Sequence, residues 1–204
     1  MLNHVAVIMD GNRRWAKDHG YVLFKGHQRG VLRLIELVEA ASEKDIKALT
    51  VYAWSKDNFS RSELEKNMIF ELMVKVSKSF CEKMMDLNVV CKHIGDLDSM
   101  PKKVQDKAKW LEEKTKHNTG VKLFIAIGYS SRGQMASVVR SLAKEVASGR
   151  LNADELTDVL ISETLALGHV SEPELLIRTS GEQRLSDFLL WEVAYSELYF
   201  SPKY

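Results

Sequence analysis

Apolar residues fall along this chain in two alternating rhythms. Short apolar runs read as strands at residues 5–9, 48–54, 89–94, 121–127 and 175–179, with a weaker one at 198–200. Several lack clean in-and-out alternation, which is the pattern of strands buried on both faces of a parallel sheet. Longer stretches at helical spacing lie between them. Residues 28–44 carry Val31, Leu34, Ile35 and Val38 on one face, and residues 62–87 carry Leu64, Met68, Ile69, Leu72, Met73, Val76, Phe80 and Met84. Segments 102–116, 134–147 and 153–160 follow the same spacing. Strands alternating with helices predict an α/β fold whose largely parallel central sheet has about six strands flanked by helices. No repeat, low-complexity tract or linker interrupts the pattern, so the 204 residues read as a single domain.

Composition narrows the function by exclusion. A net charge of +1 gives no global field for nucleic acid or an anionic surface, so anion binding must come from local clusters. Cys81 and Cys91 lack metal-ligand spacing and read as reduced thiols of a cytoplasmic protein. The opening Met1-Leu2-Asn3-His4 runs straight into a strand, which leaves no room for a signal peptide. No apolar run approaches the roughly 20 residues of a membrane-spanning helix.

In open α/β sheets, ligands bind beyond the carboxyl ends of the strands. The segments there are Asp10-Gly11-Asn12-Arg13-Arg14, Ser55-Lys56-Asp57-Asn58, Gly95-Asp96, Gly128-Tyr129-Ser130-Ser131-Arg132 and Ser180-Gly181-Glu182-Gln183-Arg184. Glycines, hydroxyls, amides and charges of both signs suit a phosphorylated ligand and a metal ion. Gly11 and Asn12 permit a sharp turn into a helix, whose free N–H groups and adjacent arginines favour a diphosphate. Asp10 is the odd member, since a carboxylate repels phosphate unless a cation lies between them. Magnesium takes one or two carboxylates plus phosphate oxygens, and Asp10 is placed to supply one. The competing reading of Asp10 alone is a plain helix cap.

The string from His4 to Lys17, HVAVIMDGNRRWAK, resembles the opening signature of the cis-prenyltransferase family, typified by undecaprenyl diphosphate synthase. Further strings follow in the family's order: Gly26-His27 with Gly30, then Tyr52 to Arg61, then Gly95-Asp96, then Leu176 to Trp191 continuing to Phe200. The resemblance implies magnesium-dependent condensation of isopentenyl diphosphate onto an allylic diphosphate such as farnesyl diphosphate. The product is a long cis-polyprenyl diphosphate such as undecaprenyl diphosphate, precursor of the lipid carrier for cell-wall synthesis. It implies a catalytic Asp10 that binds magnesium, and a cradle of Gly11, Asn12, Arg13, Arg14 and Trp15 for the allylic diphosphate with His27 beside it. Ser55, Lys56, Asp57, Phe59 and Arg61 fall on a loop that closes over the substrates. Arg178, Arg184, Leu185 and Ser186 match the isopentenyl diphosphate site, and Glu197 matches a second magnesium ligand. Asn58 matches a position assigned proton abstraction; a neutral amide is a poor base, so Asn58 is expected to orient the reacting groups while the departing diphosphate takes the proton. Helices 28–44 and 62–87 are expected to flank a hydrophobic tunnel ending near strand 121–127, with Val121 at its floor. The resemblance further implies a homodimer and a cytoplasmic location with peripheral contact at the membrane for product release; relatives usually continue past Tyr204 into a C-terminal tail, which this chain is expected to lack.

The chain departs from the family pattern in places. Leu23 stands where an arginine is usual, with Lys25 close by, Gln183 replaces a histidine, and Phe59 replaces a tryptophan. The main alternative is a non-catalytic partner subunit of the same superfamily, which typically loses residues such as Asp10 and Arg14. A nucleotide-handling enzyme finds no support, because neither the P-loop nor the Gly-x-Gly-x-x-Gly fingerprint is present.

Overall fold

The computed structural model describes residues 2–204. Its centre is a six-stranded sheet in the order β3-β4-β2-β1-β5-β6, with every pairing parallel. The strands are β1 (His4–Ile8), β2 (Ala48–Ser55), β3 (Val90–Ile94), β4 (Lys122–Tyr129), β5 (Leu175–Arg178) and β6 (Glu197–Phe200). The helices are α1 (Asn12–Asp18), α2 (Leu23–Glu43), α3 (Glu63–Asp86), α4 (Lys102–Thr115), α5 (Ser131–Ala147) and α6 (Asp158–Thr164). The strand order reverses direction around β1, which joins β2 on one side and β5 on the other. Their carboxyl ends therefore form the crevice where this architecture binds ligands.

Alternation along the central strands explains their unbroken apolarity. Val5, Val7, Leu49, Val51 and Leu123 point to one face and pack on Leu34 and Val38 of α2 and on Phe80 and Met84 of α3. Ala6, Ile8, Phe124, Ala126 and Leu176 point to the other face and pack beneath Leu167, Phe188, Leu189 and Val193. A strand covered on both sides has no polar face to show. The buried His4 is the exception and is satisfied, its ring nitrogens lying 2.6 Å from the Ser171 carbonyl and 2.8 Å from Thr50 Oγ1.

Helix boundaries shift from the sequence pattern where tertiary contacts and caps intervene. α2 begins at Leu23 instead of residue 28, because its first turns pack on α1 at glycines. A Cβ on Gly26 would lie 2.1 Å from the Asn12 carbonyl oxygen, and one on Gly30 would lie 2.6 Å from the Asn12 side chain. The segment expected as one helix over 153–160 divides into a short turn, Ala153–Glu155, and α6. Two caps cause the break: Asn152 and Glu155 close a capping box, and the Thr157 hydroxyl accepts from the Leu160 N–H at 3.2 Å.

Candidate active site

Asp10 follows β1 and Arg178 ends β5, so parallel pairing sets them side by side at the crevice. Arg178 Nη2 donates to Asp10 Oδ2 at 2.9 Å, and its Nη1 donates to Ser186 Oγ at 2.8 Å and to the Arg184 carbonyl. Arg14, one turn into α1, lies 3.3 Å from Asp10 Oδ1, 3.1 Å from Glu182 Oε1 and 3.0 Å from the Ser180 carbonyl oxygen. Glu182 also pairs with Arg184. Asp10, Arg14, Arg178, Glu182 and Arg184 thus form one network, with Arg178 buried and Arg184 exposed. Three arginines face two carboxylates, which leaves a cationic surplus suited to a diphosphate.

The backbone is strained where it builds this pocket. Ser180, Ser186, Asp187 and Leu189 take positive φ of 75°, 51°, 60° and 48° without being glycine. Gly11 takes φ 111° at the entry to α1, and a Cβ there would lie 2.8 Å from the Ser180 Cβ. Buried polar atoms remain unpaired in the crevice: Arg178 Nε, Ser180 Oγ and His27 Nε2. Orphaned groups of this kind are costly unless a ligand answers them.

The second wall carries the segment after β2. Ser55 and Asn58 close a reciprocal cap, the Ser55 N–H donating to Asn58 Oδ1 at 3.2 Å and the Asn58 N–H to Ser55 Oγ at 3.2 Å. The Asn58 carbonyl oxygen is therefore engaged, and its NH2 is the group left to meet a ligand. Lys56 lies 3.7 Å from Asp96, Asp57 is exposed on the same turn, and Phe59 packs edge-on against Trp54. Arg61 donates to Glu65 at 2.9 Å, and the exposed Arg13 lies 3.7 Å from the same carboxylate. Burial, then the Arg61 charge, push the His27 imidazole down to about 4, with Glu65 opposing and Arg13 adding. His27 is thus neutral at physiological pH.

Behind this rim an apolar cavity runs between α2, α3 and α4 over the sheet. It holds about 1020 Å³ of space between atoms, counted with its open side. Asn12 and His27 stand at its polar end, while Leu34, Leu72, Phe80, Ala108, Leu111 and Ile125 are among the residues that line it. The polar crevice therefore adjoins an apolar cavity at Asn12 and His27.

The chain matches the family model described as putative undecaprenyl diphosphate synthase over residues 8–204. It is 41% identical over 200 residues to an isoprenyl transferase of Staphylococcus haemolyticus, covering 98% of this chain and 78% of that one. It is 40% identical to the ditrans,polycis-undecaprenyl-diphosphate synthase, (2E,6E)-farnesyl-diphosphate specific, of Coxiella burnetii, covering 98% and 84%. This chain belongs to the undecaprenyl diphosphate synthase family. Among solved structures of prenyl diphosphate synthases, it superposes with a TM-score of 0.95 on lavandulyl diphosphate synthase from Lavandula x intermedia in complex with dimethylallyl diphosphate, at 33% identity and covering 99% and 87% of the two chains. A probable undecaprenyl diphosphate synthase from Campylobacter jejuni gives 0.79 at 34% identity, covering 98% and 86%. These relatives support an active cis-prenyltransferase over a non-catalytic partner subunit.

For this undecaprenyl diphosphate synthase relative, the structure gathers most of the expected residues and separates a few. Asp10, Gly11, Asn12, Arg14, Arg178, Arg184 and Ser186 meet at the crevice, with His27 and Asn58 on adjoining walls. Trp15 does not face the cradle; it stacks outward on His19 at 4.7 Å and on Tyr21 at 5.5 Å. Leu185 packs its side chain on the Phe188 side of the core, and the half-buried Leu23 opens α2 outside the cavity lining. Glu197 stands apart from this cluster within the chain. It pairs with Leu175, at the level of Val5, whereas Asp10 lies beyond Ile8 on a strand two places away. With strands about 4.8 Å apart and residues about 3.3 Å apart, the two Cα atoms are roughly 19 Å distant, too far to share an ion within one chain. Ser180 and Glu182 entered the sequence reading only as part of the rim segment after β5, and their hydrogen bonds from Arg14 draw them into the cluster. Glu182 sat inside the quoted string, but only its place between Arg14 and Arg184 marks its role.

Proposed function

We propose that this protein condenses isopentenyl diphosphate onto farnesyl diphosphate with cis stereochemistry to give a long polyprenyl diphosphate such as undecaprenyl diphosphate, with magnesium as cofactor. The observation that carries this reading is a cationic crevice with unpaired donors, opening onto an apolar cavity. One substrate end is anionic and the other is hydrocarbon, and the crevice and cavity together offer both environments.

The donor set fits magnesium carried on a diphosphate: Asp10 supplies one partly exposed carboxylate, and phosphate oxygens would supply the rest. When bound, magnesium neutralises charge on the leaving diphosphate. Arg14 and Arg13 hold the allylic diphosphate at the entry to α1. Arg184, Ser186 and Arg178 hold the isopentenyl diphosphate on the β5 side. Lys56, Asp57 and Arg61 close the wall after β2, with Asn58 directing its NH2 inward. The allylic C–O bond breaks as the diphosphate leaves, and the isopentenyl π electrons form the new C–C bond. A proton then passes to the departing diphosphate, restoring a double bond. The cavity excludes water from the allylic cation and receives the growing chain.

The protein acts in this reading as a cytoplasmic homodimer. The open edge of the sheet supports the second copy: on and beside β6, Tyr195, Leu198 and Tyr199 are exposed, and a short apolar edge strand invites cover. Among the described residues no helix is long and apolar enough to cross a membrane.

The test is incubation of the full chain with labelled isopentenyl diphosphate, farnesyl diphosphate and magnesium, with product lengths read by chromatography. Magnesium-dependent growth of a polyprenyl chain is expected. Failure to incorporate label under any divalent ion would overturn the reading.

A further inference from the structure

α2 serves two faces at once. Through His27, Gly30, Val31 and Leu34 it lines the apolar cavity, while Lys25, Gln28, Arg29 and Leu32 line a shallow concavity on its outer side with Trp15, His19 and Tyr21. The elbow between α1 and α2 carries the stacked rings of Trp15, His19 and Tyr21, and its apolar side chains stand clear of the body. Val22 is 74% exposed, Tyr21 52% and Leu32 47%. An apolar group so exposed is unfavourable in water unless something covers it.

The charges around this elbow are mostly positive, Lys17, Lys25 and Arg29 standing against Asp18. Lys17, Lys25 and Arg29 pair with no carboxylate among the described residues, Lys25 reaching only the Gln28 amide oxygen at 3.4 Å. Arg33, one turn further, is matched by Glu36, and the acid of the elbow, Asp18, accepts from the Tyr204 hydroxyl. Unpaired cations around protruding aromatic and aliphatic side chains are what an interfacial helix presents to a bilayer. Rings and aliphatic groups settle at headgroup level while lysine and arginine reach lipid phosphates. A small anion seated in the concavity would leave Val22 in water; a planar anionic layer meets Val22, Tyr21, Leu32 and the cations together.

We propose that the α1–α2 elbow docks this protein on an anionic lipid bilayer, with Tyr21, Val22 and Leu32 entering the interface and Lys17, Lys25 and Arg29 contacting lipid phosphates. The use of this docking rests on the polyprenyl reading above: α2 is then the wall between the cavity that holds the product and the surface that accepts it.

Vesicle co-sedimentation tests the surface without substrate, so it stands or fails independently of the activity. The full chain is expected to sediment with vesicles of equal parts phosphatidylcholine and phosphatidylglycerol, weakly with phosphatidylcholine alone, and less as salt rises. Arg29→Glu with Lys25→Glu, and separately Val22→Ser with Leu32→Ser, should each lower partitioning about tenfold or more, while Arg29→Lys retains it. Val22→Ser with Leu32→Ser should leave the rate of a single condensation unchanged, which shows that the variant is folded. Equal binding by wild type and elbow variants would overturn the proposal. So would loss of binding on Leu198→Ser with Tyr199→Ser while the elbow variants still bind, which would place the docking on the β6 edge.

Discussion

Asp10 and Arg178 are 168 residues apart in the chain and 2.9 Å apart in the fold. The contact joins what the sequence presents as separate clusters, one after β1 and one after β5. It makes Asp10 the charge partner of a buried guanidinium, in addition to the metal-facing role proposed for it. Asp10→Ala should therefore lower turnover by about a thousandfold or more, through lost help to the leaving group, and also lower stability by about 1–3 kcal/mol by stripping Arg178 of an acceptor. Asp10→Asn, which keeps an acceptor, should lose the turnover and retain most of the stability. Kinetics beside denaturant melts distinguish the two losses, and near-normal turnover in either variant would count against the assignment.

The same contact changes what arginine substitutions report. Arg178→Ala should weaken both substrates, since it releases Asp10 as well as Ser186. Arg184 is exposed, and among the described residues its side chain pairs with Glu182 alone, so Arg184→Ala should weaken isopentenyl diphosphate selectively. Separate binding titrations of the two diphosphates check this. Equal losses at Arg184 would indicate one shared phosphate site.

Product length should respond to α4 and not to Val121. Val121 is buried in the core beside Leu123 and does not line the cavity, so the expectation that it forms the tunnel floor does not carry over to this geometry. Val121→Ala should cost about 1–3 kcal/mol of stability with the product distribution unchanged. Ala108→Phe fills the cavity and should shorten the product. Chromatographic product profiles with thermal melts decide the matter, and a longer product from Val121→Ala would restore its role as the floor.

Glu192 is buried with both carboxylate oxygens unpaired. Burial raises its pKa, and the nearby Glu172 charge adds a smaller push in the same direction. A carboxyl with a raised native pKa contributes stability that is full below the ordinary carboxylate range and is lost as pH rises through the native value. Stability should fall with rising pH over that window, and Glu192→Gln should flatten the dependence. Urea melts across the acid-to-neutral range would show a persisting slope in Glu192→Gln if another group is responsible.

His27 behaves in the opposite sense. Its depressed pKa, about 4, means that stability is present above the ordinary histidine range and lost as pH falls through the native value. The imidazole should show no titration between about pH 6 and 8 by NMR, and the pH–rate profile should carry no inflection from it there. A His27 resonance titrating near its ordinary pKa would overturn the neutral assignment.

Much of the fold follows from local pattern. The apolar runs at β1, β2 and β4 announce two-sided burial, and the 3.6-residue spacing of α3 places its core face, because both periodicities are properties of neighbouring residues. Gly11, Asn12 and Arg14 likewise declare a turn, a helix start and an anion site within a few positions. Sequence spacing cannot say which strand lies beside which, and that order made the site. Parallel pairing of β5 with β1 brought Arg178 to Asp10, and left Glu197 at the other end of β6. Trp15 stands inside the signature yet faces outward, because the direction of a side chain on a short helix is set by how Gly26 and Gly30 let α2 pack against Asn12. Val121, just before β4, packs into the core for a similar reason: the placement of β4 against β2 and β3 decides which positions meet the cavity. The residues able to do the chemistry are read from the chain, whereas which of them meet is decided by long-range packing that no window of neighbours contains.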